Sequence, residues 1–309
     1  MNPGKLRTAS LFPLLACTLI TFSAANVRAD LTSKQARKAI TRMAGFELTN
    51  GSVRVKIISA TSPSAAEVSA EIRTVFKFAQ DQQGSWRVAE IRTRQDRWEA
   101  IDLIADALKT QVVSGACTAP DPPGRSAPAI DPSVKRARCL LGSLLGVDVP
   151  SDAVRIQEVD AMPIPLASQA SATVVALVKV DARLLNDKSG WRVTELRTGN
   201  RDWVKLEPLL AAVNDEKQKQ ARAELALIAK ALEQFRKDRG SYVVSNSQAV
   251  VIDHLSPRYL AQVIRVDPWH RPYKYQGERD HFTLRSAGPD GKENTADDIS
   301  ITETTQRGS

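Results

Sequence analysis

The chain repeats itself once. Ala36-Arg37, Gly45, Val53-Arg54 and Ala60 recur 101 positions later as Ala137-Arg138, Gly146, Val154-Arg155 and Ala161. Trp86-Arg87-Val88, Glu90, Arg92-Thr93 and Trp98 recur 105 positions later as Trp191-Arg192-Val193, Glu195, Arg197-Thr198 and Trp203. A four-residue insertion near Pro163–Gln169 accounts for the change of shift. Whatever one copy folds into, the first two thirds of the molecule must contain twice. With 309 residues, the chain has room for a third compact unit beyond the pair.

Each copy opens with a helical pattern, Lys34–Met43 and Val134–Leu145, closed near Gly45 or Gly146. Strand alternation follows at Val53, Val55 and Ile57, and again at Val68, Ala70, Ile72, Thr74 and Phe76. The second copy shows it at Ala172, Val174, Ala176, Val178 and Val180. The Trp-Arg-Val segment is a third strand, after the turns Gln82-Gln83-Gly84 and Lys188-Ser189-Gly190. A last helix is expected over Trp98–Lys109 and Trp203–Val213. The fold class is therefore α+β: two tandem α-β-β-β-α repeats with antiparallel sheets, spanning 30–115 and 131–214. Between them, 116–130 holds Pro120, Pro122, Pro123 and Pro128 and reads as a linker. Glu90/Arg92 and Glu195/Arg197 sit two apart on a strand and share a face, which predicts ion pairing rather than acid-base chemistry. Trp86, Trp98, Trp191 and Trp203 read as packing residues.

Residues 1–29 look like a secretory signal: Lys5 and Arg7, an apolar stretch from Leu11 to Ala25, then Val27-Arg28-Ala29 before Asp30. The stretch is shorter than the about 20 residues a spanning helix needs, and no later segment competes for that role. Acylation at Cys17 is a rival, lipoprotein reading of the same segment. The expectation is an exported protein, periplasmic or extracellular. Of the formal net charge of +8, Lys5, Arg7 and Arg28 carry three. The mildly basic remainder has no long Lys/Arg run, which argues against a nucleic-acid partner. Cys117 and Cys139 are left in an oxidising compartment, where pairing is the expectation and two buried thiols the alternative. A bridge would contribute roughly 3 kcal/mol through loop closure.

After Val213 the repeat pattern ends. Within 215–309, Ala221, Leu225, Ile228, Leu232 and Phe235 form one apolar stripe on a helix from Asp215 to Lys237, ended by Gly240. A short helix near Val251–Leu255 and two strands, around Tyr273-Lys274-Tyr275 and Phe282-Thr283-Leu284, follow. Three blocks then carry a resemblance. Ala231 to Tyr242 (ALEQFRKDRGSY), Asp267-Pro268-Trp269 with Pro272-Tyr273 and Tyr275, and Ser286-Ala287-Gly288-Pro289-Asp290-Gly291 with Asp297-Asp298-Ile299 resemble the type II secretion major pseudopilin, the G class, in order and spacing.

The resemblance implies a helix packed on a small antiparallel sheet and a C-terminal loop that binds calcium. Calcium takes oxygen ligands, and Asp290, Asp297 and Asp298 offer three carboxylates within a glycine-bearing loop; a solvated turn is the alternative. By resemblance, the Ala287 carbonyl is a further ligand. The spacing is not that of an EF-hand. A pseudopilin also begins with a long apolar helix that packs the pilus core, and nothing here supplies its apolar half. His254, His270 and His281 form no catalytic metal motif, and no nucleophile or phosphate-loop motif is present. The expected function is thus a non-enzymatic exported module linked to protein secretion, with secretion or pilus components as protein partners. The alternative is a periplasmic small-molecule or glycan-binding protein, or an enzyme, using the repeats.

Overall fold

The computed structural model describes residues 30–80, 85–108, 117, 133–160 and 170–304. The expected signal at 1–29, the turn at 82–84, the linker apart from Cys117, and the insertion at 163–169 lie outside the described residues.

In the first copy, α1 (Ser33–Thr41) is followed by β1 (Val53–Ser62), β2 (Ala65–Gln80), β3 (Trp86–Arg92), β4 (Trp98–Ala100) and α2 (Ile101–Leu108). In the second, α3 (Val134–Leu145) is followed by β5 (Val154–Asp160), β6 (Ser171–Asp187), β7 (Gly190–Arg197) and β8 (Val204–Lys205). Thr32 caps α1 in a reciprocal box with Gln35. Ser133 caps α3, and Gly146 ends it in the left-handed region at φ 67°. The repeated tryptophans do not open helices as the pattern suggested. Trp98 belongs to β4 and pairs with Arg92, while Trp203 immediately precedes β8.

The two copies share one eight-stranded antiparallel sheet. Its centre is the pairing of β2 with β6, which runs without a break from Ala65↔Leu185 to Ala79↔Ser171. β1 and β3 lie end to end along the outer edge of β2, and β5 and β7 lie likewise along β6. The core is divided crosswise as a result. Ala36 and Ile40 of α1 pack with Val53, Val68 and Ala70 of their own copy and with Ala182, Leu184 and Val193 of the other. Leu140 and Leu141 of α3 pack with Val154, Val174 and Ala176, and with Phe76, Phe78, Trp86 and Val88 of the first copy. Length explains the exchange. A strand of 16 residues runs about 50 Å, whereas the nine residues of α1 span about 14 Å. One helix covers only half of each long strand, so the other copy must cover the rest.

The third unit is built on α4 (Leu206–Arg239). Ala221, Leu225, Ile228 and Leu232 form the expected stripe and are buried against β9 (Lys274–Gly277), β10 (His281–Ser286), β11 (Ile299–Thr304) and α5 (Gln248–Leu255). The small sheet has the order β11-β10-β9, with β11 a strand that the sequence pattern did not reveal. The sequence suggests separate helices ending at Val213 and starting at Asp215, but α4 runs through both as a single helix of 34 residues. Asn214, Asp215 and Glu216 interrupt the apolar periodicity, yet neither glycine nor proline stands there to stop the helix. Pro208 lies in its first turn, where the missing N–H is tolerated. Among the described residues, no helix is long and apolar enough to cross a membrane.

Candidate functional site

The loop from Ser286 to Ile299 joins β10 to β11 and needs unusual backbone at three places. Gly288, Gly291 and Asn294 have φ of 58°, 68° and 66°. A Cβ on Gly288 would collide with the backbone oxygen of Asp297, and one on Gly291 with the Arg271 guanidinium. Glycine is therefore required by both conformation and space at Gly288, and by conformation at Gly291.

Beneath the loop lies the turn Asp267–Arg271. Asp267 is 2% exposed and its carboxylate is fully used. Its Oδ1 accepts from the backbone N–H of Trp269 (3.0 Å) and Arg271 (2.9 Å), and its Oδ2 from the Ser286 hydroxyl (2.6 Å). Ser286 Oγ in turn accepts from Gly288 N–H at 3.2 Å. The Arg271 guanidinium donates to the carbonyls of Gly288 and Pro289. Turn and loop are thus tied together from both sides.

The three aspartates each approach the Thr295 hydroxyl. Thr295 Oγ1 lies 3.4 Å from Asp290 Oδ1, 2.6 Å from Asp297 Oδ1 and 3.4 Å from Asp298 Oδ1. A hydroxyl has one hydrogen and can donate fully to only one of them. The outer oxygens are held by backbone donors: Asp290 N–H to Asp297 Oδ2 (3.0 Å) and Asn294 N–H to Asp298 Oδ2 (2.9 Å). The Thr295 hydroxyl, then the Asp290 N–H and the charge of Arg271, keep the Asp297 carboxyl below its ordinary pKa. The Ala287 carbonyl accepts from Gly291 N–H at 3.2 Å on the same loop. These are anionic oxygen donors of the class calcium selects, but Asp290 Oδ1 also accepts from Lys292 N–H at 2.7 Å, and among the described residues only Glu278, Asp280 and His281 have three ligating atoms within 4.8 Å of one another.

Elsewhere, Cys117 and Cys139 form a disulfide, with Cα atoms 5.7 Å apart. Glu90 and Glu195 do share a face with Arg92 and Arg197, but each pairs across strands rather than with its neighbour. Lys77 is 3.6 Å from Glu90, Arg183 is 2.8 Å from Glu195, and Arg197 is 2.9 Å from Asp181. The guanidinium carbons of Arg183 and Arg197 lie 4.0 and 4.5 Å from the Trp203 ring centroid. Sequence patterns also missed Glu278, Asp280 and His281, whose ligating atoms lie within 4.8 Å of one another at the β9–β10 turn. His281 Nδ1 already contacts Asp280 at 2.9 Å, and that carboxylate raises the imidazole pKa.

The segment that builds α4, the three-stranded sheet and the braced loop matches a known family. Residues 208–304 match the family model of type II secretion system (T2SS), protein G. The C-terminal domain is therefore protein G-like, and the match begins within the first turn of α4. No curated protein and no solved structure gives a significant match to the chain. The twin repeat in front of the protein G-like domain has no recognised family.

Proposed function

We propose that this protein is an exported, non-enzymatic accessory of type II secretion, whose protein G-like domain is locked by calcium and contacts secretion components while the twin repeat occupies the start of its helix. The observation that carries this reading is the match over 208–304 to a family named for that machinery, on a domain whose loop sets three aspartates around the Thr295 hydroxyl. Asp290, Asp297, Asp298 and the Ala287 carbonyl would hold the ion. Its charge would offset the mutual repulsion of the three carboxylates. Support for an accessory role comes from the first turns of α4. Leu206 is buried in the twin-repeat core and Lys217 is paired with Glu99 of β4, so this stretch of helix is already occupied. Leu227, Val244, Val263 and Val266 are exposed apolar residues of the domain and the positions from which a partner contact can be probed.

A ligand-binding role for the repeats is less well supported. The cleft beside α3, lined by Leu141, Leu145, Val147, Pro150 and Val178, has a volume of about 220 Å³, below the about 300–1,000 Å³ of ordinary ligand sites.

Thermal unfolding of the full chain with calcium and with chelator tests the calcium reading. The melting temperature should rise with calcium in the wild type and not in an Asp290→Ala, Asp297→Ala variant, as linkage requires of an ion bound to the native state. An unchanged wild type would remove the ion from the proposal. Photo-crosslinking from Leu227 and Val244 in cells with an active type II system tests the partner. Adducts to pseudopilus components are expected, and their absence at both positions would overturn the secretion role.

A further inference from the structure

The turn under the loop has a second side. Trp269 Nε1 donates to Asn214 Oδ1 of α4 at 3.1 Å, and His270 Nε2 lies 4.0 Å from Glu99 Oε1. The other oxygen of Glu99 is 2.6 Å from Lys217 Nζ, with only 6% of the lysine side chain and 15% of the glutamate side chain exposed. Glu99 belongs to β4 of the twin repeat, so the turn touches the place where the two units meet. His270 is a non-glycine residue at φ 65°, a conformation uncommon enough to need support from its surroundings. Asp267 supplies that support, and its bonds run to the loop at Ser286 as well as to the turn.

We propose that ion binding at the 287–298 loop is coupled to the grip of the protein G-like domain on the twin repeat, through the turn Asp267–Arg271. This coupling rests on the calcium reading of the loop. Ordering the loop fixes the Gly288 and Pro289 carbonyls, and these fix Arg271, whose N–H is already held on Asp267. Trp269 and His270 are then set against Asn214 and Glu99. By reciprocity, loosening the junction must weaken the ion by the same factor by which the ion tightens the junction.

The test uses the full chain and calcium itself, with hydrogen exchange followed by mass spectrometry and a calcium titration by calorimetry. Glu99→Gln and Asn214→Ala remove the two attachments of the turn without touching the loop, and Lys217→Met in the same chain keeps the buried lysine charge from being left unpaired. Calcium should slow exchange over both 287–298 and 98–108 in the wild type, and the triple variant should bind calcium about fivefold more weakly or worse. Slowed exchange confined to 287–298, with wild-type affinity in the variant, would overturn the coupling and leave the calcium reading intact. If calcium neither binds nor alters exchange anywhere, both fall together.

Discussion

Gly240 and Gly288 both occupy the left-handed region, at φ 84° and 58°, but their surroundings differ. Nothing lies within 4 Å of a Cβ built on Gly240, the residue that ends α4, whereas one on Gly288 meets the Asp297 backbone. Gly240→Ala should cost only the conformational penalty, about 1 kcal/mol. Gly288→Ala should cost distinctly more and should also displace Asp297, so that urea denaturation shows the larger loss together with weakened calcium binding. Glu233 gives a second prediction. Bonds from Arg236 at 2.6 and 3.0 Å, and then from the Tyr242 hydroxyl at 2.7 Å, depress its pKa to about 2. A depressed carboxyl contributes stability that is present above its unfolded value and lost as pH falls towards the folded one. Glu233→Gln should therefore reduce the acid sensitivity of unfolding between about pH 4.5 and 2. A Glu233 carbon-13 carboxyl titration near the ordinary glutamate value would refute the assignment.

At the scale of elements, the sequence revealed most about faces and least about neighbours. The stripe Ala221, Leu225, Ile228, Leu232 was legible because burial on one side imposes its own period. The unity of α4 was not, because Asn214 and Lys217 look like a polar break until Trp269 and Glu99 are seen to receive them. The aspartates of the loop were legible as a cluster, but Asp267 and Arg271 as its braces were not. Their role depends on a turn some twenty residues away in sequence meeting the loop in space. The pair Lys217–Glu99 provides the prediction at this scale. Lys217→Ala strands a mostly buried carboxylate and should cost on the order of 3 kcal/mol. Lys217→Met combined with Glu99→Gln should recover most of that loss, because no unpaired charge remains. Urea denaturation of the wild type and both variants checks this. Equal losses in the single and double variants would mean that the intact ion pair itself supplies the stability, rather than that a stranded charge costs it.

Across the whole molecule, the repeat that opens the sequence does not give two independent modules. The pattern predicted each copy's elements but left their partners open, since a strand's alternation says which face is buried and not which helix buries it. Each half of the core takes its helix and first strand from one copy and its third strand from the other, joined by the unbroken β2–β6 pairing. Separating the copies would break that pairing and expose both cores at once. The repeats should therefore unfold as one cooperative unit. Ile40, 1% exposed in one half, and Leu141, 0% exposed in the other, are the probes. Truncating either to alanine should cost about 2–5 kcal/mol. In a cooperative unit, Leu141→Ala must lower globally governed hydrogen-exchange protection in β7, which packs under α1, as much as in β3, which packs under α3. Loss of protection confined to the half that carries the substitution would show instead that each half holds its own stability, and that the long strands join two separable domains rather than building one.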